Sequence, residues 1–385
     1  MPPLLYLFAL TNLVIGTGAF VLTGVLAPMS ESLGISVAAA GQAMTAYALS
    51  AALLAPLLVV ATGRWPRKRA LLFALALFAL GCVVSALAPS LGVLLAGRVL
   101  MGAGSVFSAL ASGVVVAIVD APRRGRALSI SFLGISLSYA IGLPLGTWLG
   151  FGFGWRTPVW LVAACCLPMA LLLVALLPAR IDAPGIGFRG LRQAAAQPAV
   201  QRVWARTLLY FIAIFSVFAY CGPVLQALND LTPPQLSLVL VSFGLSGVAG
   251  TMVGGWAADR FGPIGSLRMQ LLVLTATMVA VPFTQGHLAL SVLVFIVWGV
   301  AGFGMMAPQQ VLLASASPQQ APMLMSLNGS MLYVGTALGA AISGAFIGSL
   351  GFARLSWVGV PFACLALATL WMGRRPPVAV AAPGA

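Results

Sequence analysis

The chain has 385 residues, of which 61% are hydrophobic and only 6% charged, and its mean hydropathy is +1.10. A soluble domain carries about 25% charged residues, so a water-covered globule of this size is excluded. A net charge of +14 would suggest nucleic acid in a soluble protein, but here the basic residues are divided among short loops, which excludes that partner as well.

Long runs with almost no charge recur along the whole chain, and each reads as a membrane-spanning helix. They do not alternate polar with apolar residues, as the strands of a barrel would. Twelve spans are predicted, at 4–28, 37–62, 70–89, 92–118, 127–150, 157–178, 204–227, 235–258, 267–284, 288–312, 324–349 and 355–373. The first 30 residues lack a basic start, so span 1 is expected to be an uncleaved helix and not a signal peptide. The longest polar connection, 179–203, contains Pro184, Pro198 and four arginines. It divides a first six-span bundle, 1–178, from a second, 204–385, with a short tail.

Charge sets the expected orientation. Sixteen of the 19 basic residues fall in the loop 64–69, the loop 123–126, the central connection counted through Arg206, the pair Arg260 and Arg268, and the tail at Arg374 and Arg375. The opposite side has Arg156 and Arg354, and Arg98 lies within span 4. Basic loops stay cytoplasmic, so both termini are expected inside and the lipid bilayer is the surrounding partner. The five cysteines sit in apolar runs without metal or redox spacing and read as small packing residues. One lysine against eighteen arginines, with abundant Ala, Leu, Gly and Val, points to a GC-rich bacterial genome and hence the inner membrane.

A shift of about 196 residues brings landmarks together: Pro122 onto Pro318, Trp160 onto Trp357, and, with a small gap, Gly24 onto Gly222. This pattern predicts a parallel repeat of two six-span halves, an architecture that places the site at the midplane between them.

Three stretches stand out in chain order. Arg98 is the one ionisable residue deep within a predicted span. An intramembrane charge is costly and needs a partner, and since no span holds a carboxylate the partner must be carbonyls, hydroxyls, water or an anionic substrate. In span 5, Gly142, Gly146, Gly150 and Gly154 recur every four residues and form a stripe that admits a close neighbour, while Pro144 should bend that helix. Spans 8 and 11 carry the comparable pairs Gly250 with Gly254 and Gly335 with Gly339. Finally GGWAADRFG, Gly254 to Gly262, spends one of only five acidic residues, Asp259, at a turn whose counterpart in the first half has Gly63 instead.

These residues carry a resemblance. Gly255-Trp-Ala-Ala-Asp259-Arg260-Phe-Gly262, Arg98 with Gly102 and Gly104, the run GISLSYAIGLPLG from Gly134, and GWR at 154–156 are similar to motifs of the major facilitator superfamily, most closely its drug/proton antiporter branch with arabinose-efflux-like permeases. The resemblance implies an all-α polytopic fold of two pseudo-symmetric six-helix bundles and an efflux transporter of the drug-resistance type. It implies that spans 5 and 8, and 2 and 11, face each other across the halves, so that Gly142, Pro144, Gly146, Gly150, Gly250, Gly254, Gly335 and Gly339 would form a rocking interface; static helix packing is the alternative. It implies a cavity lined by spans 1, 4, 7 and 10, giving Asn12, Phe20, Arg98, Tyr210, Tyr220, Trp298, Met305 and Gln309, with Tyr47, Tyr139, Asn328 and Tyr333 nearby. Such an aromatic, Met-rich, charge-poor lining suits an amphipathic small molecule.

In the family the Asp-Arg turn latches onto a helix start in the opposite half. For Asp259, with Arg260, Gly255 and Gly262, that start is span 5, after Arg123, Arg124 and Arg126, with Asp120 assisting. In the first half the acid is absent, and its expected target reads SPQQAP, with Gln319 and Gln320 in place of the arginines. One latch is expected, not two.

The family's antiporters often carry an acid in span 1, where this chain offers Asn12, so export in exchange for protons and uncoupled facilitation or import both remain open. An enzyme would need a nucleophile, acid pair or metal cluster in one site, and the acids are too scattered. No phosphate loop exists, and the only lysine is Lys68. No cofactor or metal is expected, and the protein is expected to act as a monomer.

Overall fold

The computed structural model describes residues 3–120, 124–178, 181, 196–316 and 321–371. Of these, the side chains of residues 116, 124–126, 129, 321–323 and 326 are not described. Among the described residues every regular element is helical. Ten helices are long and apolar enough to cross a membrane. One of them, Pro233–Thr284, has 52 residues and bends in its middle, so it supplies both span 8 and span 9. The shorter apolar helix Ser356–Ala368 lies at the predicted span 12.

The bend explains the GGWAADRFG turn. Helix continues through Asp259, Arg260 and Phe261 and changes direction at Gly262, whose φ of 72° and ψ of 160° suit glycine alone. Pro263 then restarts the helix at a position where a missing N–H costs nothing.

Several spans are broken partway along their length, at matching places in the two halves. Span 1 runs Pro3–Phe20, tightens into a 3-10 turn at Val21–Gly24 and continues as Leu26–Leu33. Span 7 runs Pro198–Phe218 and resumes as Cys221–Asn229. Span 4 is Leu91–Gly104 plus Phe107–Ile118, and span 10 is Leu288–Gly304 plus Met306–Ala316. Pro223 and Pro308 are each the third residue of the resumed segment, where proline removes an N–H that would have bridged the break. In span 5 the five-residue π-turn Ser138–Gly142 precedes Pro144. The widened turn absorbs the ring and the lost donor, so the bend predicted at Pro144 takes the form of a π-bulge.

Two expectations need correction. Arg206 is no loop residue: span 7 begins at Pro198, and Arg206 lies within it, 5% exposed, its Nε donating to Thr369 Oγ1 at 3.0 Å. The glycine stripes do not form the surface between the halves. A Cβ at Gly142, Gly146 or Gly150 would meet Thr17, Val21 or Val25 of span 1 in the same bundle. Gly250 and Gly254 press on the Val300 and Gly304 backbone of span 10, and Gly335 and Gly339 on Leu208, Phe211, Ile212 and Phe215 of span 7. All are seams inside one half. The physical reason is that a stripe of small residues specifies close approach without specifying the partner.

The halves meet through other residues. Gly244 of span 8 lies against the Tyr139 and Ala140 backbone of span 5, and Gly222 of span 7 faces the Gly24 carbonyl of span 1, a Cβ there standing 3.0 Å from it. Span 8 follows the middle and far portions of span 5, past Ser138, much more than its basic-loop portion Arg124–Leu137. At the end carrying the basic loops, Phe107–Ile118 and Met306–Ala316 pack chiefly on elements of their own bundles. The halves therefore close at the end opposite the basic loops.

Candidate functional site

Arg98 comes first because its charge has to be accounted for. It is 1% exposed, with no carboxylate near it among the described residues. Nη1 donates to Gly18 O at 2.7 Å, Nη2 to Ala19 O at 2.6 Å and Nε to Ala43 O at 3.1 Å. Its carbon lies 4.8 Å from the centre of the Tyr47 ring, a cation–π distance. Gly18 and Ala19 belong to the last turn of the α-helix Pro3–Phe20, whose carbonyls have no partner within that helix. A cation at a helix C-terminus also meets the negative end of its dipole. Thr23 Oγ1 donates to Phe20 O at 2.7 Å and completes the cap. Arg98 thus joins spans 1, 2 and 4 through main-chain oxygen, the carbonyl option among the partners expected for it.

Beside this cap Tyr333 of span 11 lies edge-on against Tyr47, across the division between the halves. The Tyr47 and Tyr333 ring centres are 6.3 Å apart.

A band of rings fills the middle of the molecule. From the first half come Phe20 and Tyr139, stacked at 4.6 Å. From the second half Phe218 meets both, at 6.0 and 5.6 Å, Phe215 meets Phe20 at 6.2 Å, and Phe303 meets Tyr139 at 4.9 Å. Phe243 extends the band to Trp298 at 5.1 Å. Offset and edge-to-face contacts of this kind add roughly 0.5–1.5 kcal/mol each beyond area burial. Phe215, Phe218 and Phe303 were not among the sequence candidates. The signal for Phe215 and Phe218 is the YFIAIFSVFAY run of span 7, where Phe211, Phe215 and Phe218 recur at helical spacing.

The remaining candidates are placed as follows. Asn12 is buried, donating from Nδ2 to Ser131 O at 2.8 Å and accepting from Ser108 Oγ at 2.7 Å. In the second half Thr207 Oγ1 donates to Asn328 Oδ1 at 2.7 Å, tying spans 7 and 11. Tyr210 donates to the Met306 sulfur at 2.9 Å. Met305 is buried. Gln309 is buried with neither amide atom bonded, and Trp298 Nε1 has no partner either. Tyr220 stands apart from the band, between spans 2 and 11. Of the twelve residues expected to line a cavity, Tyr333 is half-buried and the others are buried. The structure brings Phe20 and Tyr139 into one ring cluster and Tyr47, Arg98 and Tyr333 into a second group.

Of the latch residues, Asp259 and Arg260 are exposed at the end of span 8, and Asp120 is exposed at the end of span 4. Arg123 lies outside the described residues, as do the side chains of Arg124 and Arg126 and the counterpart residues Gln319 and Gln320. All five cysteines are free. Among the described residues no cluster of His, Cys, Asp or Glu could hold a metal ion.

Apolar membrane-spanning helices in two bundles, several of them broken around a central band of rings, are the architecture of a membrane transporter. The Major Facilitator Superfamily model matches residues 8–321 and 207–385, and the chain belongs to that superfamily. The inner membrane transport protein YdhP of Escherichia coli is 32% identical over 367 residues, 94% of this chain and 93% of that protein. A chloramphenicol resistance protein of Streptomyces lividans is 35% identical over 265 residues, 68% of each chain. Among solved structures, a bacterial homolog of the human lysosomal transporter Spinster superposes with a TM-score of 0.81 at 16% identity, covering 96% of this chain and 95% of the other. A D-xylose–proton symporter gives 0.76 at 17% identity, covering 95% and 96%. These two show the fold.

Proposed function

We propose that the chain exports small amphipathic organic molecules across the bacterial inner membrane by alternating access, with the basic loops and both termini in the cytoplasm. The observation that carries this reading is the ring band Phe20–Tyr139–Phe218–Phe303, contributed by both halves where the broken spans converge. A ligand held there contacts both bundles and can move with their rocking. The naming of relatives for chloramphenicol resistance and sugar efflux agrees with export. The test is efflux of chloramphenicol from cells lacking their own pumps, with Phe303→Ala as control. Retention equal to that of cells without the protein argues against this class of substrate.

A second point concerns coupling. Glu31, Asp120, Asp230 and Asp259 are all exposed, and Asp182 lies outside the described residues. No carboxylate is held in the ring band, so a proton exchanged for the exported substrate has to be carried by a group outside it. Proteoliposomes with and without an imposed pH gradient test the exchange: uptake that ignores the gradient argues against it.

A further inference from the structure

We infer that Tyr220 is a lock that holds the two halves together at the end opposite the basic loops, and that Gly41 and Gly344 are kept small to receive it. Tyr220 sits at the break of span 7, between Pro198–Phe218 and Cys221–Asn229, and is fully buried. The break turns its ring away from the helix line (φ −120°, ψ 26°) and into a notch between span 2 of the first half and span 11 of its own. A Cβ on Gly41 of span 2 would collide with the ring and hydroxyl of Tyr220. A Cβ on Gly344 of span 11 would stand 2.6 Å from the same hydroxyl and 2.8 Å from Gln42 Nε2.

The hydroxyl donates to Ala340 O at 3.1 Å and lies 3.5 Å from Ala38 O. One O–H has a single proton to give, and the shorter contact is to span 11, within the same half. The hold on span 2 is therefore the fit of the ring against Gly41 more than a hydrogen bond. At the matching break of span 1, two residues before Gly24 as Tyr220 is two before Gly222, the chain has Leu22. The device is thus built on one half only. If the far end opens, the ring must leave the Gly41 notch, so filling the notch should disfavour the closed arrangement directly.

The test measures distance across the far end by paired spin labels at Glu31→Cys and Gln285→Cys, in a background with the five native cysteines replaced. It needs no substrate, so its result is separate from whether the proposed transport occurs. Gly41→Ala should raise the ratio of far-end-open to closed molecules roughly tenfold, the effect of inserting a methyl group into a packed contact. Tyr220→Phe should keep the closed distance, because the ring remains. Tyr220→Ala should open the far end, and adding Gly41→Ala to it should open it no further. An unchanged distance in Gly41→Ala, or full additivity in the double variant, overturns the lock. Retained thermal stability of Tyr220→Phe shows that the labelled background folds.

Discussion

At the same depth in the two bundles, span 4 presents Arg98 to the ring of Tyr47, and span 10 presents Trp298 to the ring of Phe243. The registers match: Tyr47-Ala-Leu-Ser50 against Phe243-Gly-Leu-Ser246, and Gly102-Ala-Gly104 against Gly302-Phe-Gly304. What differs is the bonding each one makes. In span 1 the carbonyls of Gly18 and Ala19 receive their bonds from Arg98. At the matching place in span 7, Val217 O accepts from the N–H of Tyr220 at 3.0 Å, and Trp298 Nε1 bonds no carbonyl. A buried cation supplies donors to the end of span 1, and a neutral ring that bonds no carbonyl takes its place in the second half. The charge of Arg98 thus has a structural use that does not depend on transport.

The largest expected effect comes from breaking this difference. Arg98→Ala removes the donors to the buried carbonyls of Gly18 and Ala19 and should cost about 3–5 kcal/mol, read as a large fall in apparent Tm. Trp298→Arg should be equally damaging, because even the indole N–H of Trp298 finds no acceptor there. If it is tolerated, the helix-end explanation is wrong.

Next come the polar ties in each half. Asn12→Ala strands Ser131 O and Ser108, and Thr207→Val strands the Asn328 amide; each should cost about 1–3 kcal/mol in thermal unfolding. A much smaller loss in one half would show that the ties are not equivalent.

Glycine variants separate the seams from the surface between halves. Gly254→Ala should lower thermal stability by about 1–3 kcal/mol while leaving the accessibility of the two ends unchanged. Gly244→Ala, which meets the Tyr139–Ala140 backbone of the other half, should alter cysteine labelling at the two ends. Identical behaviour of the two would erase the distinction.

A smaller shift is expected from Asp259→Asn. An acid at the last turn of a helix opposes its dipole, so its position there suits a partner outside span 8. Labelling at the basic-loop end should rise about threefold, the scale of one exposed pair; unchanged labelling removes the latch. Smallest of all is Trp298→Phe, which discards an indole N–H that has no partner and should alter Tm by less than about 1 kcal/mol.

The span pattern, the two halves and the superfamily were legible in the sequence because the bilayer requires long apolar helices and leaves charges only at their ends. The cost of Arg98 was legible too, since no span offers a carboxylate. The glycine stripes misled: period four marks a face but not its partner, and the partners proved to be spans 1, 10 and 7 within the same halves. Arg206 misled because its arginine neighbours resemble a loop, whereas Pro198 starts the helix earlier.

By itself the sequence determined that this protein lies in a membrane as two repeated bundles, because hydropathy and charge act locally along the chain. Only the tertiary structure decided which carbonyls hold Arg98, which rings meet between Phe20 and Phe303, and which notch takes Tyr220. Those pairings depend on where helices break and at what depth neighbours cross, and packing between distant segments fixes both.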